Sequence, residues 1–234
     1  MTLYIVGIAW EGMNSTIRNQ WGGLEVISTN NIAKQHVFLI HGYGANAQDL
    51  FPLAKYLDEH GQYQWHFPQA PIELESYPNF TARAWFNIDN SLPMPRQYQN
   101  LTPKGFHEAA NLLTEAILAS AIDSSQIVLG GFSQGAMMAI EVVLRAQLQF
   151  KGAVLLSTTL INQQRWQRKI DTFPYELNLY QSHGKQDPLL SFENAQALYN
   201  MLSSNEKISV NFTSFNGGHE IPQIILQELH EFLL

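Results

Sequence analysis

The segment 126–147, QIVLGGFSQGAMMAIEVVLRAQ, restricts the fold more than any other stretch of the chain. Ile127, Val128 and Leu129 read as a short buried strand, and the residues beyond Gly135 read only as a helix. Between them stands Gly131-Phe132-Ser133-Gln134-Gly135. A serine flanked in this way at a strand-to-helix turn sits on a tight, strained elbow with its hydroxyl presented. The turn brings backbone close to backbone, so a Cβ two residues to either side of the serine would collide. The helix that follows aims its N-terminus at Ser133, which favours negative charge developing there. A serine in a glycine-rich turn need not do chemistry. The rest of the chain has to supply an acid, a histidine and an oxyanion hole.

The bulk properties bound the possibilities. At 234 residues the chain suffices for one well-cored domain. A content of 45% hydrophobic and 14% charged residues is that of a globular protein. The formal charge of −7 disfavours nucleic acid and anionic membrane as partners. The absence of cysteine removes disulfides, thiol chemistry and zinc-thiolate sites, and is compatible with a reducing cytosol. No run reaches the roughly 18 apolar residues of a membrane helix. The first ten residues are apolar but lack a preceding Lys or Arg, so they make a poor signal peptide. There is no internal repeat, low-complexity segment or interdomain linker.

Along the chain, strand and helix patterns alternate. Residues 1–20 are the hardest to interpret: 3–9 could form an added edge strand, or Met13 could be the true start. Residues 23–28 alternate like a half-buried strand, and Asn30-Asn31 marks a turn. The run HVFLI over 36–40 is continuously apolar, as in a sheet covered on both faces. It leads into His41-Gly42-Tyr43-Gly44-Ala45-Asn46, where two glycines let backbone N–H groups turn toward a ligand. Residues 47–60 predict a helix with Leu50, Leu53, Ala54 and Leu57 on one face, stopped by Gly61. Residues 64–67 are a short strand.

Residues 69–103 form a long loop rich in proline, interrupted by Trp85-Phe86 and expected to be an active-site wall or lid. Pro103 opens a helix to about Ala121. After the elbow helix, 152–156 and 177–181 predict strands, 158–175 a part-helical connection, 192–202 a helix, 208–215 a strand and 221–234 a closing helix. This alternation implies an α/β fold, a single domain with a mostly parallel central sheet and helices on both faces. Ligands of such sheets bind beyond the carboxyl ends of the strands. Residues 41–46, Ser133, Asp187 and His219 all follow strands at that end.

A serine hydroxyl needs an adjacent base, and the base needs a carboxylate to hold its tautomer. In a fold with this elbow the order is Ser, then Asp or Glu, then His. Of the histidines after Ser133, His230 falls in a helix and His183 precedes the acid by only four residues. His219 follows Gly217-Gly218 after the last strand and is the better base. Asp187, on a strand-end loop before Pro188, is the expected acid, although Asp before Pro also builds ordinary Asx turns. Asp171 and Glu141 belong to the connection and the elbow helix. The oxyanion hole of this geometry uses the N–H after the nucleophile and one from an early loop, here Gln134 and Tyr43. His41 precedes the serine and is expected to brace the oxyanion loop.

The ordered set HGYGAN (41–46), PQAP (68–71), Trp85-Phe86, GFSQG (131–135), SHG (182–184) with Asp187-Pro188, and Gly218-His219 resembles the phospholipase/carboxylesterase family of α/β-hydrolases, which includes acyl-protein thioesterases. The resemblance spans about residues 24–234. It implies the α/β-hydrolase fold and a cytoplasmic serine esterase with no cofactor and no metal that cleaves carboxylic esters and thioesters. It carries over Ser133, Asp187 and His219 as the triad, with Tyr43 and Gln134 as oxyanion donors. Trp85 and Phe86 fall where the family lines its acyl site, and Leu189, beside Pro188, is a third candidate substrate contact. Asn87 stands where the family often has Asp, Ser157-Thr158 where it often has Ser-Gly, and the N-terminus is longer than usual.

The expected activity is therefore acyl transfer to water from a small-molecule ester or thioester, with lysophospholipids also compatible. There is no nucleic-acid partner and no integral membrane segment, and the aromatics of 69–103 could line a pocket or a homodimer interface. The rival reading is a non-catalytic protein of the same fold that binds a small ligand or a protein. An amidase or peptidase of this fold is disfavoured because no extra domain selects peptides.

Overall fold

The computed structural model describes residues 16–74, 81–95 and 98–234. The possible edge strand at 3–9 and the alternative start at Met13 lie outside the described residues. The elements run β1 (Thr16–Trp21), β2 (Leu24–Thr29), β3 (Gln35–Ile40), α1 (Ala47–Leu57), β4 (Tyr63–Pro68), β5 (Ile72–Glu73), β6 (Arg83–Ala84), α2 (Phe106–Ala119), β7 (Ile127–Phe132), α3 (Gln134–Ala146), β8 (Gly152–Leu156), α4 (Gln163–Asp171), β9 (Leu177–Gly184), α5 (Phe192–Leu202), β10 (Ile208–Phe215) and α6 (Gln223–Leu233). Eight strands form one sheet in the order β1-β2-β4-β3-β7-β8-β9-β10, while β5 and β6 pair separately. From β4 to β10 every neighbouring pair is parallel; β1 and β2 are the antiparallel end.

The continuous apolar runs are explained by two core layers. Phe38 and Ile40 of β3 face a layer built with α2, α3, α4 and α5, including Leu113, Ile140, Trp166 and Leu198. Their neighbours Val37 and Leu39 face the opposite layer, closed by α1 and α6 through Leu50, Leu53, Ile225 and Leu229. Side chains alternate across a strand, so a strand covered on both sides must be apolar at every position.

Several boundaries differ from the sequence expectation, each for a physical reason. α1 ends at Leu57 rather than His60, because Asp58 closes it. The Asp58 carboxylate accepts the Gln62 and Tyr63 N–H groups and the Trp65 indole N–H. α2 starts at Phe106, three residues beyond Pro103, after Gly105 takes a left-handed φ of 87°. β9 runs to Gly184, three residues past the apolar stretch. Ser182, His183 and Gly184 stay in register against Thr213, Ser214 and Phe215 of β10.

Candidate active site

Ser133 sits between β7 and α3 with φ 56° and ψ −118°, a conformation costly for any residue with a side chain. Its N–H donates to Leu156 O of β8 at 2.8 Å. The two glycines of the elbow are required by space. A Cβ on Gly131 would lie 2.4 Å from Gly135 C, and one on Gly135 would lie 2.0 Å from Ile40 O. The crowding expected at this turn is therefore backbone against backbone, with no flexible atom to yield. Gln134 opens α3, so its N–H has no intrahelical acceptor. Among the described residues, neither the Gln134 nor the Tyr43 N–H donates to a backbone acceptor.

The loop 41–46 that carries Tyr43 is fastened on several sides. Gly44 N–H donates to Arg83 O (2.8 Å) and Arg83 N–H returns to Ala45 O (2.9 Å). Gln69 Oε1 accepts the Ala47 N–H at 2.8 Å. His41 is fully buried, with Nδ1 2.8 Å from Gly42 O and Nε2 3.2 Å from Ala70 N. A carbonyl only accepts and an amide N–H only donates, so Nδ1 carries the proton and Nε2 is the acceptor. Burial lowers the pKa of the ring to about 4. His41 is thus a neutral brace, with no free nitrogen to act as a base.

Asp187 and His219 meet from the ends of β9 and β10. His219 Nδ1 donates to Asp187 Oδ2 at 2.6 Å. Asp187 Oδ1 accepts the N–H groups of Leu189 (2.8 Å) and Leu190 (3.0 Å). Burial by itself would raise the Asp187 pKa, but the His219 hydrogen bond and charge and the two backbone donors outweigh it, and the carboxyl is held below its ordinary value. The two loops are locked together: Lys185 N–H donates to Phe215 O, Gln186 N–H to Gly217 O, and a Cβ on Gly184 would lie 2.2 Å from Gly218 O. Nδ1 being committed to the carboxylate leaves Nε2 as the free nitrogen of His219. The His219 ring stands 4.9 Å, centroid to centroid, from Phe132, the residue before Ser133.

Trp85 and Phe86 are 1% exposed, and Leu189 is half-buried. The two aromatics brace the site rather than open into solvent. The Trp85 indole donates to His41 O (2.9 Å), tying the 85–86 segment to the loop 41–46. The Gln134 side chain accepts the Trp85 N–H (2.8 Å) and donates to Phe86 O (2.9 Å). That clamp was invisible in the sequence, where an amide after a serine has no distinctive spacing. His183, which is not the expected base, has its Nε2 3.3 Å from Asp187 Oδ2. The i, i+4 spacing of the pair was the one available signal. His230 is structural, its Nδ1 2.7 Å from Leu57 O. Among the described residues no cluster could hold a metal ion and no helix is long and apolar enough to cross a membrane.

A serine on the tight turn between β7 and α3, with a histidine–aspartate pair at the ends of β9 and β10, is the arrangement of an α/β-hydrolase. The carboxylesterase from Mesorhizobium loti shares the fold, with a TM-score of 0.72 at 17% identity, covering 94% of this chain and 99% of its own. The chain belongs to the phospholipase/carboxylesterase family, whose model matches residues 22–234, and is a hydrolase. Among its relatives, acyl-protein thioesterase 1 of Cryptococcus neoformans is 27% identical over 165 residues, 68% of this chain and 69% of the relative. Acyl-protein thioesterase 1 of Candida albicans is 24% identical over 225 residues, 90% of this chain and 95% of the relative.

Proposed function

We propose that the protein hydrolyses carboxylic esters and thioesters through an acyl-enzyme on Ser133. What carries the reading is the His219–Asp187 hydrogen bond of 2.6 Å, with the His219 ring 4.9 Å from that of Phe132, the residue before a serine held at positive φ. Ser133 Oγ attacks the acyl carbonyl, and its proton passes to His219 Nε2. The tetrahedral oxyanion is met by the N–H groups of Tyr43 and Gln134. Each such donor contributes on the order of 3 kcal/mol to the transition state. His219 then gives its proton to the leaving alcohol or thiol, whose bond to the acyl carbon breaks. Water, deprotonated by His219, attacks the acyl-serine and releases the acid. Asp187 remains ionised throughout, keeping the Nδ1–H tautomer and favouring the imidazolium. No cofactor or metal is needed at any step.

Leu189 as a substrate contact, with Trp85 and Phe86 as the buried backing of the acyl site, belongs to the same proposal, as does a cytoplasmic location, to be checked by cell fractionation. Whether the active species is a homodimer is read by light scattering on the purified protein.

The test is turnover of p-nitrophenyl esters from acetate to palmitate by wild type and by Ser133→Ala, alongside labelling with a fluorophosphonate. Wild type should label and turn over, and the variant should do neither while retaining its circular dichroism. Turnover by Ser133→Ala equal to wild type would sink the mechanism. An absence of labelling and activity at every chain length would favour a binding protein of the same fold. The acyl length of maximal rate separates a closed pocket for small esters from an open groove for lipid or acyl-protein substrates.

A further inference from the structure

Asp187 has a second histidine beside it. The His183 ring, near the end of β9, is wholly buried, with Nε2 3.1 Å from Leu190 O and 3.3 Å from Asp187 Oδ2. The carbonyl can only accept, so Nε2 carries a proton. Nδ1 has no partner among the described residues. Burial lowers the pKa of the ring; the Leu190 hydrogen bond and the charge of Asp187 oppose this and His219 adds to it, leaving the imidazole neutral. The charged or titratable groups that bear on it are Asp187, His219 and Glu193, and the ring of Phe192 packs 6.3 Å away.

The geometry has a consequence for the acid. Leu190 is gripped at both ends: its N–H by Asp187 Oδ1 and its C=O by His183 Nε2. The turn 187–190 therefore cannot rotate without breaking a bond at one end. Oδ2, the oxygen that holds His219, has the His183 N–H dipole as a second positive neighbour. An apolar side chain would fill the same volume without burying an unpaired nitrogen, a recognised cost.

We infer that His183 is a positioning residue for the acid of the triad: its Nε2–H fixes the 187–190 turn through the Leu190 carbonyl and tempers the charge on Asp187 Oδ2 where His219 binds. The inference rests on the triad reading above. The rival is a purely space-filling ring.

Two measurements decide. On wild-type protein, long-range proton–nitrogen correlation at pH 7 should show His183 neutral with its proton on Nε2; a proton on Nδ1, or a charged ring, would overturn the inference without any variant having to fold. In His183→Leu, removing the donor beside Oδ2 makes the carboxylate a stronger partner for protonated His219. The acid limb of kcat/KM against pH should rise by about half a unit. kcat should fall roughly tenfold with KM little changed, as expected when a catalytic group is misplaced rather than removed. His183→Gln puts an amide nitrogen near the position of Nε2 and should restore both the limb and kcat. A fall in kcat with an unmoved limb, or no rescue by Gln, identifies a space-filling ring and rejects the inference. Fluorophosphonate labelling at Ser133 keeps the two proposals apart: labelled enzyme with unmoved limbs refutes only the role of His183, whereas unlabelled wild type refutes the triad reading itself.

Discussion

Gln134 joins two jobs in one residue. Its backbone N–H opens α3 beside Ser133, while its side chain holds Trp85 N–H and Phe86 O. Replacing it with methionine keeps the backbone donor and the approximate volume but leaves two buried backbone groups unpaired. Each unmade bond of this kind costs about 1–3 kcal/mol. Gln134→Met should therefore lower the urea midpoint clearly and cut kcat about tenfold through a displaced 85–86 wall. Wild-type stability would show that the 85–86 backbone finds other partners. The roles of single residues were unequally legible. The roles proposed for Ser133, Asp187 and His219 follow from order and from their places at strand ends. The Gln134 clamp and the partnership of His183 with Leu190 depend on side-chain directions that spacing does not encode.

Hydrophobic period marks most of the elements, and it fails where an element buries few of its residues. β3, β7 and β8 are buried on both faces and announce themselves as apolar runs. β1 (TIRNQW) is mostly exposed on an antiparallel edge, so no period marks it, and only its register against β2 makes it a strand. α4 lacks an apolar stripe as well; two of its nine residues, Trp166 and Ile170, are buried. It is fastened by Glu141 of α3, a carboxylate 1% exposed, which accepts the Trp166 indole N–H at 2.8 Å. Glu141 Oε1 lies 2.8 Å from Arg165 Nη1 and 3.3 Å from Arg145 Nε. Both arginines keep partial access to water, so they can resolvate if the charge is removed. Glu141→Gln should cost about 1–3 kcal/mol in urea denaturation, below the loss for a fully enclosed pair. Hydrogen exchange in α4 should quicken, with ester turnover within twofold of wild type. Unchanged exchange in α4 would mean that Trp166 alone secures the helix.

At the scale of the whole molecule, histidine burial sets the response to acid. His41 and His66 have pKa values lowered by burial to about 4 and about 3, and His36, whose Nδ1 is 3.0 Å from His66 Nε2, is lowered too. In the unfolded chain these rings take protons near pH 6.5, whereas the folded protein refuses them until much lower pH. Their contribution to stability is thus complete above about pH 6.5 and lost progressively as pH falls toward 4, His41 alone accounting for roughly 3 kcal/mol. The depressed carboxyl of Asp187 acts in the same direction at lower pH. Urea midpoints measured at pH 8, 7, 6 and 5 should hold level and then decline. A level line down to pH 5 would show that these rings are charged in the folded protein.

The local order of the chain determined the class. A buried strand, a glycine-hemmed serine and a helix leave one backbone path, and the alternation of elements sends the later aspartate and histidine to the same, carboxyl, end of the strands. Both depend on steric exclusion and on side-chain period, which act between near neighbours and are written in the sequence. The tertiary structure decided what those constraints leave open. It committed His41 Nδ1 to its own loop, divided Asp187 between two backbone N–H groups and two histidines, and sank Trp85 and Phe86 into the core as braces. Hydrogen bonds have direction and a range of about 3 Å. Which donor meets which acceptor is settled only when segments tens of residues apart have packed, as Asp187 with His219 and Trp85 with Gln134.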